Sequence, residues 1–413
     1  YALFTYLIET PISPLEAGAH LCQEQSTAQW ARIGVEEDFR EKYGAKVVRC
    51  DILGKSSTPL LYTFVEGKTY TTAKIVIAHP IVNFGARVPN LMTAAAGEGA
   101  FHCPAVNSIK LMDVQLPKSF VRQFTGPRFG LRGLRAKLNV PDRPLFTGVV
   151  KPNIGLKPEL FAQLAYEAWK GGLDICKDDE MLSDVAYSPL KKRLELVIDK
   201  MGKAEDATGE KKMFIANITD EVDRILELHD LVVSMGGNAI MLNTMAVGLS
   251  AVRMLSKQTK IPIFSHFDFI APFSRMPNFG VKSDLIVRMQ RLVGCDGIIV
   301  PGLGKRMMVP ENEVIDTVKS CLYDMHGLEK SLPIPGGSDW AGPLPRMYET
   351  FKTKDFSMVP GRGVFGHPNG PEGGARSLRE AWEAIEQGKS LEEYSKNHPD
   401  LKAALSYFGT AKG

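Results

Sequence analysis

The sequence lacks an excess of charge of either sign: 50 Lys and Arg stand against 47 Asp and Glu, a net charge of +3 over 413 residues. So slight an imbalance, spread along the chain, argues against a dedicated nucleic-acid surface. No uninterrupted apolar stretch approaches the roughly 18 residues of a membrane helix, so no membrane span is expected. The six cysteines, Cys22, Cys50, Cys103, Cys176, Cys295 and Cys321, have no close paired spacing. Neither a zinc motif nor a disulfide framework is readable in them, which points to a reducing compartment, the cytoplasm. Low-complexity tracts are absent, and no signal peptide is recognisable behind Tyr1. What is present is the balance of a globular protein, 44% hydrophobic and 23% charged. The length exceeds one ordinary domain and suggests one large and one small.

From Thr147 onward the chain settles into a rhythm of short apolar runs and longer helical patterns. The runs fall at 146–151, 173–177, 213–219, 239–244, 261–267, 297–300, 332–335 and 357–361, with helices such as 157–170 and 221–235 between them. Nearly all-apolar strands alternating with amphipathic helices imply a parallel sheet. Eight such units in one domain imply an α/β (β/α)8 TIM barrel. A doubly wound sheet would need a Gly-rich turn after its first strand, where Lys151-Pro152 stands instead. The first 125 residues read differently, with strands at 1–9, 46–52, 59–65 and 71–80 and a helix at 14–25, the mixture of a small α+β domain. Residues 124–143, rich in Gly, Pro and Arg, form the passage between domains. The expected division is therefore 1–125 and 126–413, the latter closing with helices at 372–387 and 391–396.

A barrel of this kind places function at the C-terminal ends of its strands. The second strand ends in Lys177-Asp178-Asp179-Glu180. A period of two sets Lys177 and Asp179 on one face, and Glu180 follows as the chain leaves the strand. Two carboxylates at a barrel mouth suit a hard cation such as magnesium. A lysine beside them repels metal unless CO2 carbamylates it, which makes it an anionic oxygen ligand; the alternative is a solvated acidic loop. Lys151 ends the first strand, where it serves either proton transfer or a salt bridge across the mouth. His266 closes the fifth, as a structural histidine or a participant in the same ring. The seventh and eighth strands end in Gly336-Gly337-Ser338 and Gly361-Arg362-Gly363. Glycine-exposed N–H groups there suit a phosphate, and Arg362 adds a charge-assisted contact.

These residues resemble the RuBisCO large-subunit family. Gly171-Gly172-Leu173-Asp174 through Glu180 is similar to its carbamylated-lysine signature, and Lys151-Pro152-Asn153-Ile154-Gly155-Leu156 to its first-strand lysine motif. Phe124-Thr125-Gly126-Pro127, Lys137-Leu138-Asn139 and Gly366-His367-Pro368 fit the same pattern, and the similarity runs in order over 24–384. The resemblance implies a ferredoxin-like N-terminal domain and a magnesium site of carbamylated Lys177, Asp179 and Glu180. It implies proton shuttling by Lys151, an active-site role for His266, and a phosphate cradle at Gly336, Gly337, Gly361 and Gly363. Glu24 falls where that domain reaches into a neighbouring subunit's site, implying a homodimer or an assembly of dimers. Lys305 lies near the family's loop lysine.

The departures carry as much information. Asn153 replaces a second lysine, Phe267 a phosphate-binding arginine, and Ile299 a sixth-strand histidine. Pro335 replaces a serine, Gln29 a threonine, and Arg362 interrupts a glycine triplet. Each lost charge-assisted contact costs about 1.5–3 kcal/mol, too much in sum for a working carboxylase. The resemblance is therefore to the non-carboxylating RuBisCO-like proteins. It implies a magnesium-dependent lyase, isomerase or hydrolase that enolises a phosphorylated keto-sugar or 3-oxo sugar acid, with CO2 as lysine activator. A 3-oxo-isoapionate-4-phosphate transcarboxylase/hydrolase is one such activity. The alternatives are a methionine-salvage enolase or methylthioribulose-1-phosphate isomerase, a true ribulose-bisphosphate carboxylase, and a non-catalytic regulator. Against the enolase, Glu98 stands where that enzyme's lysine base is expected, and no lysine follows until Lys110.

Overall fold

The computed structural model describes residues 1–29, 38–62, 66–337 and 339–409. The chain divides into two compact units, Tyr1–Thr125 with Phe269–Leu292, and Gly126–Asp268 with Val293–Gly413.

In the first unit β1 (Ala2–Thr10), β2 (Lys46–Ser56), β3 (Tyr70–His79), β4 (Ser108–Gln115) and, from the later segment, β10 (Gly280–Val281) make one sheet in the order β10-β4-β1-β3-β2. The four long strands are antiparallel, with Phe4 opposite Ile77 and Tyr6 opposite Ile75. Two helices cross over, Pro14–Glu24 after β1 and Val88–Ala96 after β3, which gives the ferredoxin-like arrangement. The first of them starts on a proline, whose missing N–H costs nothing at that position. It buries Ala17, Gly18 and Leu21, and a Cβ on Gly18 would stand 2.9 Å from Val47. That close approach of helix to sheet requires glycine. Residues 59–62, the described part of the expected 59–65 strand, are not in a strand, and 63–65 lie outside the described residues. Lys110 of β4 ties down the later segment, its Nζ donating to Ser274 O at 2.8 Å and Met276 O at 2.7 Å.

In the second unit eight parallel strands form a nearly closed barrel. They are β5 (Leu145–Val149), β6 (Ile175–Lys177), β7 (Met213–Asn217), β8 (Ala239–Leu242), β9 (Ile263–Ser265), β11 (Gly297–Pro301), β12 (Leu332–Gly336) and β13 (Ser357–Met358). Each ladder joins neighbours in the sheet order, and β13 pairs with β5 through Ser357 and Leu145. The strands are short because both faces are buried, and regular pairing ends where the loops turn toward water. The interior packs Leu145, Val149, Ile175, Ile215, Met241, Phe264, Ile299, Ile334 and Val359 into one apolar cluster. Leu131, Leu134 and Leu138 of the helix Gly130–Leu138 join it at i, i+3 and i+7. Asp296, just before β11, fixes that helix by accepting N–H bonds from Phe129 and Gly130 at 2.7 Å and from Ile263 at 2.9 Å.

Among the described residues, three α-helices follow at the C-terminal end: Gly370–Glu386, Leu391–Tyr394 and Pro399–Phe408. The third goes beyond the sequence reading because Pro399 opens a helix instead of stopping one.

Candidate active site

The alternation that fills the barrel continues past its C-terminal rim. On β5 it runs Leu145, Thr147, Val149 and on to Lys151; on β6, Ile175, Lys177 and Asp179; on β9, Phe264 and His266. Apolar members make the core, and polar members stand at the mouth. Lys177 is fully buried, with Nζ donating to Asp178 O at 2.8 Å and lying 3.6 Å from Glu180 Oε2. Burial lowers its pKa against the pull of Glu180 and Asp179, and nearby Lys151 lowers it further. Lys151 Nζ donates to Asp179 Oδ2 at 2.8 Å. His266 sets Nε2 3.4 Å from Glu180 Oε2 and Nδ1 3.2 Å from Asp268 Oδ2. Burial raises the Glu180 pKa, but His266 and Lys177 outweigh it and hold the carboxyl below its ordinary value.

The turn that carries these groups is fixed from outside. Asp178 faces away from the mouth in a buried ion pair with Arg193, Nε to Oδ1 at 2.8 Å and Nη2 to Oδ2 at 3.2 Å. Asn217, ending β7, donates to Asp179 O at 3.1 Å and Glu180 O at 3.0 Å, and Asn243 after β8 donates to Glu180 O at 3.1 Å. The sequence reading missed both asparagines, although Asn217 ends one barrel strand and Asn243 directly follows the next. It also missed Asp268.

A cavity of about 610 Å³ opens over this group. Lys151, Lys177, Glu180, His266, Gly336, Gly337, Gly361 and Arg362 all line it. Its charged lining is mostly cationic, since Arg306 joins the two lysines and Arg362 against Glu180, and that favours an anionic ligand. Lys305 is exposed and is not among the lining residues; Arg306 and Met307 of the same 3-10 turn are. Successive side chains of such a turn point about 120° apart, so neighbours face different ways. Gly363 is also outside the lining, and its N–H donates to Asp339 O at 3.2 Å. A Cβ there would meet that same oxygen at 2.5 Å, so glycine serves packing at this position. Asp179 lies buried beneath Lys151, and Glu24 ends its helix in the first unit. Ser338 lies outside the described residues.

The donor set can be tested against a hard divalent cation. Asp179 and Glu180 supply carboxylate oxygens, and in their present state Lys151 and Lys177 balance both charges. Carbamylation of Lys177 would turn this neutral foursome into one with two excess negative charges, matched to a divalent ion. The buried amine with a lowered pKa is the form that reacts with CO2. The residues fit. Glu180, His266 and Asp268 also bring one donor atom each within 4.8 Å of one another, a second grouping with metal-ligand chemistry.

The model of the ribulose bisphosphate carboxylase large chain, catalytic domain, matches residues 130–408, and that of its N-terminal domain matches residues 2–120. The chain belongs to the RuBisCO large-chain family. A ribulose bisphosphate carboxylase-like protein of Allochromatium vinosum is 51% identical over 99% of this chain and 90% of its own. A 3-oxo-isoapionate-4-phosphate decarboxylase of Rhizobium etli is 31% identical over 99% of each. The crystal structure of a RuBisCO-like protein from Burkholderia fungorum superposes with a TM-score of 0.91 at 29% identity, covering 98% of this chain and 99% of that one. Four of the positions that depart from the RuBisCO carboxylase pattern, Asn153, Phe267, Ile299 and Arg362, line the cavity. The differences are thus concentrated where a ligand would lie.

Proposed function

We propose that this protein is a magnesium-dependent enzyme that enolises a phosphorylated keto-sugar or 3-oxo sugar acid and ends in isomerisation, decarboxylation or C–C cleavage, without fixing CO2. The observation that carries the reading is the buried Lys177 amine, set beside Asp179 and Glu180 under a cavity with a cationic lining. Lys177 as a carbamate, Asp179 and Glu180 would hold the metal. When bound, magnesium supplies stabilisation of the negative charge that develops on a substrate oxygen as the adjacent carbon loses its proton.

The chain's own residues do the rest. Arg306 and Arg362 hold the phosphate and fix the register of the carbon skeleton. Lys151, steadied by Asp179, moves the proton at the carbon beside the carbonyl. His266, held between Glu180 and Asp268, hydrogen-bonds the substrate from the opposite side of the ring of strands. Phe267 and Ile299 leave no charge for a second phosphate. The Rhizobium relative, a decarboxylase of a phosphorylated 3-oxo sugar acid, supports this choice of substrate class. CO2 then acts as the activator of Lys177, and a cysteine spacing with no readable disulfide framework is in keeping with a reducing cytoplasm. The working assembly is a homodimer or a set of dimers, with Glu24 at the shared site.

The apolar stretch of Phe267, Ile299 and Met307 favours a second reading, a thiomethyl sugar phosphate as substrate. Product identification by NMR decides between them. Turnover of a 3-oxo sugar acid phosphate supports the first reading. Turnover of a thiomethyl ribulose phosphate alone replaces it with the second, and CO2 uptake with ribulose bisphosphate overturns both.

A further inference from the structure

Arg362 lies in the short helix Gly361–Phe365 that follows β13, and it lines the cavity. Among the described residues no carboxylate or other acceptor pairs with its guanidinium. What it meets is an aromatic ring, with Cζ over Phe408 at 5.4 Å from the ring centroid. A long side chain with many rotamers and no ion pair gains order from such a contact. The ring consumes none of the five N–H donors, whereas a carboxylate partner would occupy two of them. Phe408 is itself built into place. It ends the helix Pro399–Phe408, on which Leu401, Ala404 and Phe408 follow at i, i+3 and i+7, the first two buried. At the start of that helix the Leu401 N–H donates to Glu380 Oε2 at 2.8 Å, and Arg376 Nη1 donates to Asp400 Oδ2 at 2.9 Å. Just past its end Trp340 Nε1 donates to Gly409 O at 2.7 Å, and the Trp340 ring lies 6.0 Å from that of Phe408.

We propose that Phe408 is a positioning residue for the anion site: its ring holds Arg362 at the cavity with the guanidinium donors free, so that the C-terminal helix sets the affinity for the substrate's phosphate. The inference rests on the reading that Arg362 holds that phosphate. An arginine left to wander over its rotamers must be ordered when the anion arrives, and that cost is subtracted from binding. One already resting on a fixed ring has met most of it beforehand. Phe408 touches no substrate on this account and acts only through Arg362.

Calorimetric titration of the full chain with sulfate and with inorganic phosphate tests this on wild type, Phe408→Leu, Phe408→Tyr and Arg362→Ala. Leucine keeps an apolar side chain but offers no ring face, and tyrosine keeps the face. Phe408→Leu is expected to bind both anions about two- to fivefold more weakly, the worth of a cation–π contact at an exposed site. Phe408→Tyr should restore wild-type affinity, and Arg362→Ala should weaken binding at least as much as Phe408→Leu. Wild-type affinity in Phe408→Leu overturns the inference, and so does equal weakening in Phe408→Leu and Phe408→Tyr, which marks a packing role. Wild-type affinity in Arg362→Ala overturns it as well, without recourse to any change at Phe408. Failure of both anions to bind the wild type overturns the phosphate reading and the inference with it, whereas binding that ignores the ring overturns the inference alone.

Discussion

Lys151 Nζ rests 2.8 Å from Asp179 Oδ2, an ammonium on the carboxylate oxygen that a divalent cation would need. On the proposed reading, proton transfer and metal binding would draw on the same pair. Replacing Lys151 by Met frees the carboxylate and removes the proton carrier. Magnesium affinity in Lys151→Met is expected to hold or to tighten severalfold, while substrate proton exchange falls by roughly 10²–10⁴-fold. Calorimetry and NMR exchange measure the two separately, and a marked loss of magnesium binding would contradict this placement of Lys151.

Phe267 stacks on His266 with ring centroids 4.6 Å apart and planes inclined by 21°. Phe267→Arg introduces a cation where the cavity lining is apolar. A bisphosphate ligand is expected to bind at least about tenfold more tightly to this variant, the worth of one charge-assisted hydrogen bond. Equal calorimetric affinities for wild type and variant would show that ligands do not reach this side of the mouth.

Arg193 and Asp178 are both fully buried, and Asp178 also accepts the Asn217 N–H at 2.9 Å. Arg193→Leu strands a carboxylate in the barrel wall beneath the Lys177–Glu180 turn. Denaturant unfolding is expected to register a loss of about 3–5 kcal/mol. A loss below about 1 kcal/mol would mean that the carboxylate finds water or another partner.

Burial raises the Asp296 pKa from 3.8 to about 6, against three N–H bonds that favour the charged form. Between those values the folded state binds the proton more tightly than the unfolded state. This group's stabilising contribution is therefore complete below pH 3.8 and is lost as pH rises through about 6. The loss is on the order of 2–3 kcal/mol. Asp296→Asn costs stability at every pH, since it gives up acceptor capacity, but the difference between wild type and variant should narrow across that window. A difference that stays constant in denaturant titrations from pH 4 to 7 would contradict the assignment.

Much of this architecture is legible in the sequence, because short apolar runs ending in Lys151, Lys177 and His266 mark both the barrel and its functional end. Lys177 and Glu180 come from one turn, so their proximity follows from local geometry. Groups contributed by distant segments are harder to read. Asn217 and Asn243 support the turn from neighbouring strands, and nothing local in sequence ties them to it. Arg306 replaces Lys305 in the lining because a 3-10 turn decides which of two adjacent cations faces inward, and a charge pattern alone does not contain that choice. The segment 269–292 clusters with the first unit through β10 and Lys110, although its place in the sequence lies between barrel strands. Pairing across so long a separation leaves no local signal.

Solvent deuterium exchange, followed by NMR over a panel of phosphorylated ketoses and 3-oxo sugar acids, tests metal-assisted enolisation most directly. Wild type with magnesium and bicarbonate is expected to wash deuterium into the carbon beside the carbonyl of at least one compound. Omitting magnesium, or substituting Lys177→Ala, should abolish that exchange. Exchange that persists in Lys177→Ala, or a wild type that neither exchanges any compound nor binds magnesium, would contradict the account and favour a protein that keeps the fold without the chemistry.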